Sequence, residues 1–508
     1  MTSIDPDLSI RNLYFSFPEY PGIAARHLFG GLNLELPAGS IAVLLARPDQ
    51  GKTTLCRVFA GLIPRFTGGE LQGEVSLGTL QLLEQVPYEL IEQVGLVFQH
   101  PGEQLLASRC DSEVAFPLES LGVPRSEIET RLAAALRTMD LERYRYKSPK
   151  VLSGGEKKKL LIACLLAVDP RLWLLDETLE ELDSGTKTQL LQLLKDRRRS
   201  TLILSAKWHD LFREYVDSIF LMEKGRIRAV RENPGSAEFQ RLLLKRGFVL
   251  PGESAKRADG LAPKGSSPQR LSASKRVSTE PAKAAVAEDE ALLVAEDLYF
   301  RYEDEGRGSG PAFSLQIEYL RLTAGRVLAV VGDNGSGKST LGRLLCGLLS
   351  PGAGQIRICR GGNLQPASAE ELNRYTGYLF QDPDLQIFLP TVFEELALGL
   401  KHMSLTEEEI NRRVQETVSL FGLPAGEAPP SLMSYGIRKK LQAGVYYLLE
   451  RPLMIIDEGD SGLSVNDFAE MVRIFGNEEG ALIFITHDHR LADALADEVV
   501  ELKSGSFV

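Results

Sequence analysis

Shifted by roughly 280 residues, the chain falls into register with itself, and a repeat that long requires two similar domains rather than one large fold. Leu13-Tyr14-Phe15-Ser16-Phe17 falls on Leu298-Tyr299-Phe300-Arg301-Tyr302, Val97-Phe98-Gln99-His100-Pro101 on Leu379-Phe380-Gln381-Asp382-Pro383, and Leu174-Leu175-Asp176-Glu177 on Ile455-Ile456-Asp457-Glu458. With 508 residues, 44% of them hydrophobic, each copy has enough apolar material for its own core. The expected domains are 1–250 and 292–508. Between them, 251–291 is rich in Ala, Ser, Pro, Lys and Glu and poor in large apolar residues, and reads as a flexible linker.

Inside each copy, short β-rich apolar runs alternate with longer helical patterns. The runs are Ile41 to Leu45, Leu172 to Leu175 and Leu202 to Leu204, then Val327 to Val331, Leu453 to Ile456 and Leu482 to Ile485. Such alternation predicts an α/β fold with a largely parallel sheet flanked by helices. The mostly helical patterns over 103–159 and 384–440 interrupt that series and predict a helical subdomain inserted between two core strands.

After the run Val327 to Val331 comes Gly332-Asp333-Asn334-Gly335-Ser336-Gly337-Lys338-Ser339-Thr340, opening a helix. A strand, a glycine-rich turn and a helix in that order form a phosphate loop, whose backbone N–H groups and helix N-terminus surround phosphate oxygens. Lys338 should reach the β- and γ-phosphates, and Ser339 should hold Mg²⁺. The first copy reads Ala46-Arg47-Pro48-Asp49-Gln50-Gly51-Lys52-Thr53-Thr54. Gly51, Lys52, Thr53 and Thr54 survive, but Ala46 and Asp49 replace glycines. Aspartate tolerates a positive φ, so the backbone path can persist. Its charge is the larger obstacle: a carboxylate about 4–5 Å from a phosphate repels it by roughly 3–4 kcal/mol at an effective dielectric near 20. Weak nucleotide binding follows, unless Asp49 turns outward.

Asp176 and Asp457 end apolar strands, where a carboxylate can handle Mg²⁺, and Glu177 and Glu458 follow, where a base can activate water. Thr486-His487-Asp488 ends another strand and places an imidazole near the γ-phosphate. The aligned first-copy residue is Lys207, which lacks histidine's hydrogen-bond geometry. A net charge of −11 argues against a protein that coats nucleic acid. The runs Lys157-Lys158-Lys159 and Arg197-Arg198-Arg199 read as solvated helix faces. The five cysteines are far apart and form no Cys-x-x-Cys pair, so reduced thiols and no zinc or iron–sulfur site are expected. Met1 to Asp7 is acidic without an apolar run, so no secretory signal is expected. The apolar stretch Leu160 to Val168 stops at Asp169, well short of the ~20 residues that span a bilayer. A membrane role therefore needs another chain.

These motifs resemble the ATP-binding cassette family over nearly the whole chain outside the linker. The resemblance implies two tandem P-loop domains, each a mostly parallel sheet core with an inserted helical subdomain and an antiparallel β edge, using ATP and Mg²⁺. Leu152-Ser153-Gly154-Gly155-Glu156 resembles the family's signature, whose Ser and Gly backbone contact the γ-phosphate of ATP held by the opposite cassette. The second copy has Met433-Ser434-Tyr435-Gly436-Ile437 there. Gln99 and Gln381 are similar to the glutamines that sense Mg²⁺ and the attacking water. Tyr302 is similar to the aromatic that stacks on adenine, and Phe17 fits either that role or a core role. The run Phe380 to Phe388 followed by Thr391-Val392-Phe393-Glu394-Glu395, echoed by Phe98 to Leu105 and Ser112 to Phe116, resembles the ATPase subunits of energy-coupling factor importers of cobalt, nickel and vitamins. In that group this region borders the groove that receives the membrane subunit's coupling helices.

Head-to-tail pairing, the family's arrangement, implies composite sites in an intramolecular heterodimer. Site one would combine Tyr302, Asn334 to Thr340, Gln381, Asp457, Glu458 and His487 with Ser153, Gly154 and Gly155. Site two would combine Lys52, Thr53, Gln99, Asp176 and Glu177 with Ser434 and Gly436, and lacks the histidine, two loop glycines and one signature glycine. The loop after Glu177, Thr178-Leu179-Glu180-Glu181-Leu182-Asp183, also departs from the family, and its partner ends in Ser464. The resulting expectation is an ATPase at the cytoplasmic face of the cell membrane, docked near Gln99 and Gln381 on integral membrane subunits, with a separate substrate-binding membrane component and no nucleic acid. The alternative is a soluble twin-cassette translation factor acting on ribosomes, which usually has a charged helical linker. DNA-repair cassettes with zinc modules are disfavoured by the cysteine spacing.

Overall fold

The computed structural model describes residues 6–19, 25–180, 182–249, 291–302, 313–424, 426–477 and 480–508. It divides into two compact units, Met1–Val249 and Leu250–Val508. The expected linker over 251–291 lies outside the described residues apart from Ala291, which opens a strand.

In the first unit a six-stranded sheet has the order Arg226–Ala229, Ser218–Glu223, Ile41–Ala46, Ser200–Ser205, Leu172–Asp176, Val94–Val97. Its strands are parallel except for the antiparallel edge pair Arg226–Ala229 and Ser218–Glu223. The second unit repeats the order with Ser506–Phe507, Glu498–Lys503, Val327–Val331, Ala481–Ile485, Leu453–Asp457 and Thr376–Leu379. Each unit also has a four-stranded antiparallel sheet: Arg26–Pro37, Pro6–Phe17, Glu70–Leu77 and Leu80–Gln81 in the first, and Ser314–Thr323, Ala291–Arg301, Ala353–Arg360 and Asn363–Pro366 in the second.

The parallel strands are apolar throughout because both faces are covered. Every residue of Ile41–Ala46 is buried, and successive side chains alternate between two cores. Val43 and Leu45 join the core built with the inserted helices, whereas Ala42 and Leu44 face the core shared with the antiparallel sheet and the helix Lys52–Phe59. The inserted helices are Cys110–Ser120, Arg125–Thr138 and Gly154–Val168 in the first unit, and Val392–Leu400, Glu407–Phe421 and Tyr435–Leu448 in the second. Each set interrupts the chain between two strands that are neighbours in the sheet. The strand ends therefore stay together while the chain makes a long excursion.

The lysine run needs correction. Lys158 is fully buried, and its Nζ donates to the Glu177 carbonyl at 3.1 Å. The helix Gly154–Val168 packs against the sheet through both Lys158 and its apolar neighbours, so only the flanking lysines approach solvent.

Candidate active site

Helix Lys338–Leu345 starts at Gly337, which has φ 106 and would bring an added Cβ within 2.6 Å of the Phe313 ring. Gly51 starts Lys52–Phe59 with φ 99 and would bring its Cβ within 2.7 Å of Phe29. This close packing on the antiparallel sheet explains why that glycine is present in both loops. Asp49 sits at φ 63 where Gly335 has φ 79, so the aspartate follows the left-handed path expected for it.

In the second unit the loop, two strand ends and the Gln381 segment converge. Lys338 Nζ donates to the Gly332 and Asp333 carbonyls at 2.8 and 2.9 Å. Ser339 Oγ donates to Asp457 Oδ1 at 3.0 Å, and the Tyr378 hydroxyl donates to Asp457 Oδ2 at 2.6 Å. Glu458 accepts from Gln381 Nε2 at 2.6 Å and lies 2.8 Å from His487 Nε2. The other imidazole nitrogen is 3.0 Å from the Gly332 carbonyl. Both partners of His487, the Glu458 carboxylate and the Gly332 carbonyl, are acceptors. Burial pushes the Glu458 pKa up, but the bond and charge of His487, with Lys338 behind them, outweigh it and hold the carboxyl below its ordinary value. Asp457 moves the other way: burial and the neighbouring Glu458 raise it, against the Tyr378 and Ser339 bonds. The two adjacent carboxyls are thus pushed apart in acidity by their different partners.

The first unit assembles a related but altered cluster. Gln99 Nε2 donates to Glu177 Oε2 at 2.9 Å. The other oxygen faces Lys52 Nζ at 2.9 Å in a buried ion pair, where Glu458 has His487. Lys207 does not take the histidine's place: it lies 3.7 Å from Glu180, which also accepts from Ser205 Oγ. Asp176 is pushed up to about 6, first by burial and then by Glu177, with Thr53 and Lys52 pulling down. On the adjacent strand Leu96, paired with Leu174, stands at the position of Tyr378, which pairs with Ile455, and has no hydroxyl to offer Asp176.

The serine–glycine segments begin helices in both units. Ser153 caps Gly154–Val168 in a reciprocal box with Glu156, and Ser434 caps Tyr435–Leu448 through Ile437. Gly155 is buried at that start, and an added Cβ on Gly436 would meet the Gly462 carbonyl at 2.5 Å. Tyr302 is poised at the loop helix, its hydroxyl 3.2 Å from Thr340 Oγ1. Phe17 packs on the core against Phe15, which favours the core reading for it.

Sequence reasoning missed Tyr378, Lys158, Lys439 and Glu180. Lys158 and Lys439 had one available signal, since a lysine aligned in both copies four to five residues into a helix can be read as a shared buried contact rather than a solvated face. Tyr378 and Glu180 had none, because their partners lie far away in sequence or on another loop.

The ABC transporter family model matches residues 29–180 and 316–461. A Methanosarcina mazei protein named as an ABC transporter ATP-binding protein is 32% identical, over 99% of this chain and 88% of its own length. A protein of the same description from Caldanaerobacter subterraneus is 29% identical over 99% of this chain and 91% of its own. A Bacillus subtilis protein named as an HMP/thiamine import ATP-binding protein is 28% identical over 99% and 91%.

Proposed function

This chain belongs to the ABC transporter family and is an ATP-binding, ATP-hydrolysing protein, and from that premise we propose that it is the energy-coupling ATPase subunit of an energy-coupling factor importer. The reading is supported by the Phe380 to Glu395 pattern and by the Bacillus subtilis relative named for HMP/thiamine import, which makes a vitamin the favoured cargo over a transition-metal ion. The observation that carries it is the build of the Gln381 loop. Its glutamine bonds to Glu458, while the same loop exposes Leu385 at 69% and Phe388 at 73%. The first half repeats this with Gln99 on Glu177 and Leu106 at 80% exposed. An apolar surface one short loop from the hydrolytic carboxylate suits docking by a membrane subunit whose motion is driven by ATP. No described helix is long and apolar enough to cross a membrane, which makes separate integral membrane subunits, and a separate substrate-binding membrane component, part of the proposal. The protein would then act peripherally at the cytoplasmic face.

ATP and Mg²⁺ fit the residues of the second half. Ser336 Oγ is buried and has no hydrogen-bond partner among the described residues, as a phosphate-facing hydroxyl would be. Ser339, Gln381 and Asp457 would hold Mg²⁺, which neutralises phosphate charge when bound. Glu458 would accept the proton of the attacking water, with Gln381 and His487 orienting it. In the head-to-tail pairing that the resemblance implies, Ser153, Gly154 and Gly155 would complete this site, and Ser434 and Gly436 the weaker one. The relatives carry transporter names, which does not favour the translation-factor alternative. Affinity purification of the tagged chain from detergent-solubilised membranes tests the proposal. It should recover a multi-spanning subunit in stoichiometric amount; recovery on ribosomes without one would overturn it.

A further inference from the structure

Tyr435 stands where the first half has Gly154, and by residue type alone it is a lost element of a phosphate-binding segment. Its surroundings show a different use. Tyr435 opens the helix Tyr435–Leu448 and is 8% exposed, and its hydroxyl donates to the Gln381 carbonyl at 2.5 Å. Lys439, one turn further on, has its Nζ 5.1 Å from the centre of the Tyr435 ring and donates to the Glu458 carbonyl at 2.7 Å. Gln381 and Glu458 are themselves joined through their side chains. The tyrosine therefore touches the main chain of one member of the pair and the lysine that holds the main chain of the other.

We propose that Tyr435 is a positioning residue for the Glu458–Gln381 pair, holding the Gln381 carbonyl and backing the Lys439 ammonium from within the second half. The need for such a clamp is visible in the backbone. Glu458 sits at φ 48, in the left-handed region that is strained for a non-glycine residue and persists only where neighbours over-determine it. Its N–H donates to the Ile485 carbonyl at 3.1 Å, and its C=O is taken by Lys439. Glu177, at φ 47, has the same two supports from Leu204 and Lys158, so the lysine contact is common to both halves. A buried ammonium requires acceptors or an aromatic face around it, and the second half supplies both. Gly154 has no side chain with which to reach Gln99. The substitution that removes a glycine from one site thus adds a clamp to the carboxylate that also has His487.

The inference rests on the reading that Glu458 carries turnover, and steady-state MgATP hydrolysis by the full chain tests both. Tyr435→Phe keeps the ring on Lys439 and removes only the bond to Gln381. It should lower kcat about five- to tenfold with KM for MgATP within about twofold, the size of one lost hydrogen bond expressed in the reacting state. Tyr435→Gly, which restores the first-half residue type, should lower kcat further rather than raise it. Wild-type kcat in Tyr435→Phe, a kcat above wild type in Tyr435→Gly, or a loss confined to KM overturns the inference. Glu458→Gln is measured alongside. If it abolishes turnover while both tyrosine variants match wild type, the inference alone fails; turnover that survives Glu458→Gln overturns the reading and the inference with it.

Discussion

Replacing Glu177 with Gln should tighten nucleotide binding in the first half, although it removes a group that belongs to the site. The reason is the buried pair between Lys52 Nζ and Glu177 Oε1, 2.9 Å apart with both side chains 5% exposed. A phosphate entering that loop must compete with Glu177 for the lysine. At this separation and an effective dielectric near 20 the attraction is about 6 kcal/mol, and the Glu177 carboxylate also repels the incoming phosphate. Glutamine keeps a hydrogen-bonding oxygen but not the charge, and solvation offsets much of the difference. A return of about 1.4–2.8 kcal/mol to the ligand is the reasonable share, so affinity should rise about 10- to 100-fold. Both loop lysines donate to two loop carbonyls, but in the second half His487, not the lysine, faces the corresponding oxygen of Glu458, so the same competition is not built in there. The assay is calorimetric titration with a slowly hydrolysed ATP analogue in a Lys338→Ala background, which silences the second loop. Lys52→Ala in the same background gives the floor. Affinity that is unchanged or weaker in Glu177→Gln refutes the argument, since the ion pair would then not oppose binding.

Turnover should be asymmetric: Glu458→Gln lowers kcat by about 10²–10⁴, the range for loss of a positioned base, while Glu177→Gln changes it by no more than about threefold. Equal losses in a phosphate-release assay would remove the distinction between the sites. Gly335→Asp copies the first-half loop at a residue whose φ is 79 and whose added Cβ meets nothing within 4 Å, so the fold should persist while ATP affinity falls about a hundredfold or more from carboxylate repulsion. Undiminished binding by a variant with native circular dichroism would show that charge is not what weakens the first loop. Asp176 gives a pH signature. Its folded pKa, about 6, lies above the ordinary 3.8, so the ionised form opposes folding; the penalty is absent below about pH 4 and complete above about pH 6. Asp176→Asn, studied by urea unfolding without nucleotide or Mg²⁺, should be more stable than wild type by up to about 3 kcal/mol at pH 7.5, with the gain vanishing near pH 4. A gain that does not change with pH would contradict the burial argument.

Much of this molecule can be read from the chain because its chemistry sits in contiguous segments. A glycine-rich turn between an apolar strand and a helix is local, and so is a carboxylate pair closing a strand, so Lys338, Ser339, Asp457 and Glu458 are visible without coordinates. The long-period repeat is visible for the same reason, and it implies two α/β units. The damage to the first loop is equally plain, including the left-handed path that Asp49 keeps at φ 63.

What the tertiary structure decided are the partners of those groups. Tyr378 meets Asp457 across a separation of 79 residues because the strands Thr376–Leu379 and Leu453–Asp457 are parallel neighbours, with the inserted helices spliced between them. Strand order is a property of the whole sheet, and no local pattern encodes it. Lys158 looked like part of a solvated run, yet the carbonyl of Glu177 in its left-handed turn draws it into the interior. Tyr435 read as a worn signature until the Gln381 segment was seen against it. Residue type reports what a segment can bind, but whether a substitution is a loss or a new contact depends on what the fold places within hydrogen-bond reach.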